Sequence, residues 1–169
     1  MSTTNEIFSR YVNYNVWANK AIADFLVDKE NNLLDKEIIS SFSSIRKTIF
    51  HMADAQFVWL SRLKGTSPSD WPSKNMKPEE AVPALVNTST AYALYCEGKN
   101  DSFWSELIAF STMDGTPYKE PVGNMTMHMV NHSTFHRGQL ITMFRQVGFE
   151  GKMPKTDLIT YLREISARS

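Results

Sequence analysis

The chain has 169 residues, 42% of them apolar and 21% charged, with lysine plus arginine equal to aspartate plus glutamate at 18 each. A chain of this size and composition builds its core without disulfide or metal staples, which excludes a disordered or disulfide-dependent protein. Balanced charge with no basic cluster excludes a nucleic-acid-binding face, and no apolar run reaches the ~18 residues of a membrane span.

The first predicted helix carries Ile7, Tyr11, Tyr14, Ala18, Ala21 and Phe25 at 4-3-4-3-4 spacing, the seam of a bundle helix. Thr3 or Thr4 caps it, Glu6 suits the positive end of the helix dipole, and the polar stretch Asp28 to Asp35 ends it. A second helix begins near Ser43, with Ile45, Ile49, Met52, Gln56, Trp59 and Leu63 as its stripe and Gly65 as its stop. Pro68, Pro72 and Pro78 make Thr66 to Pro78 a connection rather than an element. A third helix runs from about Glu79 to Glu97, with Pro83 tolerated in its first turn, and Gly98 to Asp101 terminates it. Asp114-Gly115, between two short segments within Leu107 to Pro121, predicts a small hairpin. The last long helix spans about Val122 to Val147 and closes at Gly148. A short one follows Pro154, with Asp157 near its start and Leu158, Tyr161, Leu162 and Ile165 turned inward. Four long amphipathic segments predict an all-α, antiparallel four-helix bundle with a short extra C-terminal helix, a single domain over residues 1–169.

Three of the four histidines, His128, His132 and His136, follow one another four residues apart. On a helix they share one face, and two imidazoles one turn apart can meet one metal ion. All three cannot, because His128 and His136 stand about 12 Å apart along the axis, too far for bonds of ~2 Å. The pair is therefore His128 with His132 or His132 with His136, and spacing leaves the choice open. A third ligand must come from another helix, where His51 is the remaining histidine. It sits about 120° from the centre of its own apolar stripe, toward Thr48 and Ala55, as a surface histidine also would. The competing reading is ordinary interior or surface histidines. Burial on a face with Met125, Gln139 and Met143 is costly, however, unless something bonds or ligates the rings.

Gln139 shares the histidine face and can orient a ligand, whereas Asn131 lies about 100° away and is expected to cap or face a neighbouring helix. Arg137 suits an anionic substrate or, more simply, solvent. Cys96 reads as a small buried residue, Trp17 and Trp59 as core, and Trp71 and Trp104 as connection residues able to line a pocket mouth. A single cysteine fits a reducing compartment, and Met1 to Glu6 shows no basic-then-apolar leader pattern, so the expected location is the cytoplasm.

Four blocks carry a resemblance. Tyr14-Asn15-Val16-Trp17-Ala18-Asn19, Ser41-Phe42-Ser43-Ser44-Ile45 through His51-Met52, Asn131-His132-Ser133-Thr134-Phe135-His136-Arg137-Gly138-Gln139, and Thr156-Asp157-Leu158 with Tyr161-Leu162 resemble, in order, the DinB-like, YfiT-related metalloenzyme family. The resemblance spans essentially the whole chain. It implies a four-helix bundle with a divalent metal held by His51, His132 and His136, with His128 outside the triad and a homodimer as the assembly. Relatives of this kind include bacillithiol-type S-transferases and enzymes similar to mycothiol-dependent isomerases. The implied function is metal-dependent transfer of a low-molecular-weight thiol cosubstrate to an electrophilic small-molecule substrate. A metal-dependent hydrolase and a non-catalytic metal- or ligand-binding module are the alternatives. Zinc or nickel is the expected ion, although imidazole also suits copper and iron.

Overall fold

Polar caps start the first two long helices of the computed structural model, which describes residues 2–27 and 29–168. Helix α1 (Thr4–Leu26) opens with a capping box in which Thr3 accepts from the Glu6 backbone and Glu6 reaches back to Thr3. Its expected terminator Asp28 lies outside the described residues. A short helix α2 (Asn31–Asp35) follows where only a polar connection was expected. It is held by the buried Arg46, whose guanidinium bonds Asp35 at 2.6 Å, Asn31 at 2.9 Å and the Pro78 carbonyl at 2.7 Å. Helix α3 (Ile45–Leu63) is capped by Ser44 and ends before Gly65, whose φ of +79° is one that side chains with a Cβ rarely adopt. After two 3-10 turns come α4 (Ala81–Cys96), a third 3-10 turn, and the antiparallel hairpin β1 (Leu107–Ser111) and β2 (Pro117–Pro121). Helix α5 (Val122–Gln146) leads through Gly148, at φ +94°, to α6 (Leu158–Ser166).

The architecture is the expected helical bundle with a small hairpin, but its helix directions correct the simple antiparallel expectation. Thr48 meets Met143, His51 meets His132 and Trp59 meets His128, so α3 and α5 are antiparallel. Phe8 lies against Gly123, Asn15 on Arg137 and Phe25 on Phe144, so α1 and α5 run parallel. Arg46 on Pro78, Gln56 on Thr88 and Tyr95 on Leu63 make α3 and α4 parallel as well. Parallel neighbours need a connection that returns along the bundle, and the proline-rich segment after Gly65 supplies it.

Packing is divided along the bundle axis. One apolar cluster includes Val12, Leu60, Tyr92, Met125 and Met129, and the other includes Ile22, Ile49, Leu85, Leu140 and Phe144; each draws on all four long helices. Between them lies a buried polar layer of Asn15, Asn19, Gln56 and Arg137. This layer widens the buried face of α1 beyond its predicted seam: Tyr14 and Ala18 are buried as expected at 2% and 0%, Asn15 and Asn19 turn inward beside them at 1% and 0%, and Ile7 is 53% exposed. Two amides are tolerated inside because each bonds both Gln56 and Arg137. Among the described residues no helix is long and apolar enough to cross a membrane.

Candidate metal centre

His51 on α3 and His132 and His136 on α5 converge beside the polar layer. The Nε2 atom of His132 stands 3.0 Å from that of His51 and 3.1 Å from that of His136. One nitrogen from each ring lies within 4.8 Å of the other two. His128 is one turn before His132 on α5, its ring centroid 5.9 Å from that of His132, and joins the ring row without joining the triad. Of the two pairs left open by spacing, His132 with His136 is the one the structure brings together with His51.

The surroundings fix the rings. His136 Nδ1 is 2.7 Å from Gln139 Oε1, and Gln139 Nε2 donates to Ser41 Oγ at 3.1 Å. With the amide oxygen toward the ring, Nδ1 is the nitrogen that carries the proton, and Nε2 presents its lone pair to the triad. Phe42 stacks on His51 with centroids 4.2 Å apart, and the Trp71 ring stands at 6.3 Å. The Trp71 segment is anchored from below by Asp54, a buried carboxylate one turn after His51, which accepts from the Ser73 backbone at 3.0 Å and from the Ser73 hydroxyl. Burial pushes the Asp54 carboxyl up, against the lowering effect of those two bonds.

Burial, and then the neighbouring rings, lowers His51 to about 4 and His132 to about 3; burial also lowers His136, opposed by its bond to Gln139. The imidazoles are thus neutral near pH 7, each with one N–H and one lone pair. At 3.0 and 3.1 Å the facing Nε2 atoms suit a ring-to-ring hydrogen bond or, with the protons on Nδ1, three lone pairs turned toward one cation. Neutral nitrogen donors in this number fit a divalent transition metal with a position left for another ligand.

Other expected residues are distributed differently. Arg137 is 1% exposed rather than solvated. It donates to Asn15 Oδ1 at 2.8 Å, Asn19 Oδ1 at 2.9 Å, Thr134 Oγ1 at 2.8 Å and the Tyr14 hydroxyl at 3.1 Å. The paired Asn15 and Asn19, one turn apart on α1, were the sequence signal for that burial. Asn131 is exposed, on the rim of a cavity of about 660 Å³ between α1, α5 and α6, instead of facing a neighbouring helix. Trp104 is not at a pocket mouth: it is 3% exposed, stacks on Phe8 at 4.5 Å and donates to Asn5 Oδ1. Trp17 and Trp59 are partly buried and pack against the core, as expected; Trp17 also donates to Glu164, and Trp59 lies 4.9 Å from His128. Cys96 is buried, as expected, and burial pushes its thiol up to about 12. Asp54 and Arg62 had no place in the sequence reading; the His51-to-Asp54 spacing of one helical turn was the available clue for the first.

Comparison with known proteins matches residues 1–165 to the DinB family model. The protein DinB of Bacillus subtilis strain 168 is 27% identical over 145 residues, covering 80% of this chain and 83% of that protein. A crystal structure of a DinB-like protein from Bacillus cereus superposes with a TM-score of 0.62 at 21% identity, covering 86% of this chain and 94% of that one. YfiT from Bacillus subtilis superposes with a TM-score of 0.67 at 14% identity, covering 89% and 92%; it is described as a probable metal-dependent hydrolase with an unusual four-helix bundle topology.

Proposed function

The chain belongs to the DinB family, and on that premise we propose that it is a metal-dependent enzyme whose His51, His132 and His136 hold a divalent ion, zinc or nickel. The reaction proposed is transfer of a low-molecular-weight thiol to an electrophilic small molecule. The observation that carries this reading is the composition of the cluster. Three neutral imidazoles converge, and among the described residues the cluster contains neither a carboxylate nor a thiol. A divalent ion there supplies the acidity, lowering the pKa of a bound water to ~7 or holding a thiol as its thiolate.

The chain's own groups position rather than react. Gln139 holds the His136 ring so that Nε2 faces the cluster. Phe42 and Trp71 flank His51 and shield that side from water. Cys96 is out of reach as a nucleophile, because it packs in the apolar cluster away from the histidines with a thiol raised to about 12. The missing carboxylate favours thiol transfer over hydrolysis, since water attack gains from a general base beside the ion and a thiolate does not need one. Hydrolysis is the second reading, supported by the fold shared with YfiT and the activity described for that protein.

The test is elemental analysis of purified wild-type and His132→Ala protein, with turnover of a chromogenic electrophile measured with several thiols and with water alone. One ion per chain in the wild type, none in the variant, and thiol-dependent turnover abolished by chelation and restored by metal is the expected result. Thiol-independent turnover selects the hydrolase. Metal binding without any turnover selects a binding module.

A further inference from the structure

Arg62, in the last turn of α3, is buried at 6% exposure and has no hydrogen-bond or ion-pair partner among the described residues. Its guanidinium carbon sits in the corner between two aromatic rings, 4.6 Å from the Trp59 centroid and 4.7 Å from that of Phe110. Those rings stand 72° apart in plane, with centroids 5.6 Å from each other. Cation–π contact compensates the face of a guanidinium but not its N–H groups. Nε is buried with no acceptor, and a buried donor left in that state is rare in a finished site. Burial pulls its pKa down, and no carboxylate acts to raise it.

The guanidinium borders a cavity of about 360 Å³ whose wall also includes Trp59, Phe110, Met125 and His128. His128 links this cavity to the triad: its ring lies 4.9 Å from Trp59 on one side and 5.9 Å from His132 on the other. A single row of contacts thus runs from Arg62 to the proposed metal ligands. We propose that Arg62 is the anion-recognition residue of the site, and that the substrate is a small organic monoanion whose carboxylate meets the guanidinium edge while its body lies along His128 toward the triad. This rests on reading the triad as the reacting centre.

The class of anion follows from the lining. The wall is mostly apolar, which suits an aryl or alkyl body. The cavity holds one cation and also Glu120, whose Oε2 is engaged by Asn124 at 3.2 Å. One arginine opposed by one carboxylate favours a monoanion over a phosphate dianion. A carboxylate also matches the planar fork of arginine in two-point contact.

Calorimetric titration of benzoate, its neutral isostere benzamide and phenyl phosphate into the full chain, metal-loaded and chelated, tests the proposal. Benzoate should bind on the order of tenfold or more tighter than benzamide, the usual strength of a charge-assisted bond. That preference should persist after chelation and disappear in Arg62→Met, with benzamide affinity unchanged. Arg62→Lys, which keeps the charge and loses the fork, should retain part of it, and Glu120→Gln should enlarge it. Thermal melts and elemental analysis on the same samples report folding and metal content separately. A preference that persists in Arg62→Met, or that vanishes on chelation, overturns the assignment, because the anion then sits elsewhere or on the ion itself. Tighter binding of phenyl phosphate overturns the carboxylate class. An Arg62-dependent preference in protein that never holds metal keeps the proposal and removes the metal-centre reading instead.

Discussion

Gln139 Oε1 lies 2.7 Å from His136 Nδ1, one helical turn away on the same helix, and this contact sets which nitrogen of His136 is bare. Gln139 is itself held by Ser41 from the segment before α3, so the ring is oriented from two elements. Gln139→Leu keeps the volume and removes the acceptor. Partners of this kind are worth about 10–100-fold in metal affinity, and competition against a chromogenic chelator should show a loss in that range with an unchanged melting curve. Unchanged affinity would mean that the amide only packs.

His132 and His128 differ in what they touch. His132 Nε2 is within 3.1 Å of both other triad nitrogens, while the His128 ring lies tilted beside Trp59. His132→Ala should abolish metal content and turnover. His128→Ala should retain the ion, with any loss appearing in KM, because its ring borders the Arg62 cavity. Equal loss of metal in both variants would show that the ion sits between His128 and His132.

The pH dependence follows from neutral imidazoles kept neutral. Burial holds His51 at about 4 and His132 at about 3, whereas in the unfolded chain a histidine titrates near 6.5. Below pH 6.5 the unfolded chain takes up protons that the folded one refuses, so metal-free protein should lose stability as pH falls from about 6.5 toward 4 and below. Denaturant midpoints measured from pH 7 to pH 4 should fall more steeply for wild type than for His132→Ala. Parallel slopes would mean that the rings are not held neutral in the folded state.

Cys96→Ser should leave turnover per folded molecule unchanged. The hydroxyl enters an apolar cluster, so stability should drop by about 1–3 kcal/mol if it finds no partner there. Loss of turnover with normal metal content and fold would make Cys96 the nucleophile and overturn the proposed mechanism.

Much of this was legible in the sequence because it is local. Thr3 with Glu6, the stretch near Ser43, Gly65, Gly98, Asp114-Gly115, Gly148 and Asp157 mark ends and turns through effects confined to a few residues, and together with the apolar stripes they outline the hairpin and five of the six helices. The histidine face of α5 was equally readable, since periodicity alone places His128, His132 and His136 together. Choosing between neighbouring pairs required another helix, and so did Arg137. A lone arginine beside a histidine looks solvated until Asn15 and Asn19, more than a hundred positions earlier, are known to face it. The predicted α1 seam holds at Tyr14 and Ala18 but not at Ile7, for the same reason: hydrophobic spacing assigns no inward role to asparagine. Helix direction was illegible too, because amphipathic stripes carry no sign along the axis. Arg62 is illegible in the sequence because its isolation exists only once every potential partner has been placed elsewhere.

The polar layer between the two apolar clusters has a consequence for axial alignment. Methionine and leucine side chains in the flanking clusters tolerate sliding, as one apolar contact readily replaces another. Arg137 does not. A slip of α5 by one turn, about 5.4 Å, would remove the Asn15, Asn19 and Tyr14 contacts together and strand a charge in the interior. Arg137 follows His136 directly in the chain, so the height of the histidines on α5 is indexed to α1, while Gln56, five residues after His51, ties α3 to the same asparagines. The three rings therefore share a common datum, set by hydrogen bonds that none of them makes.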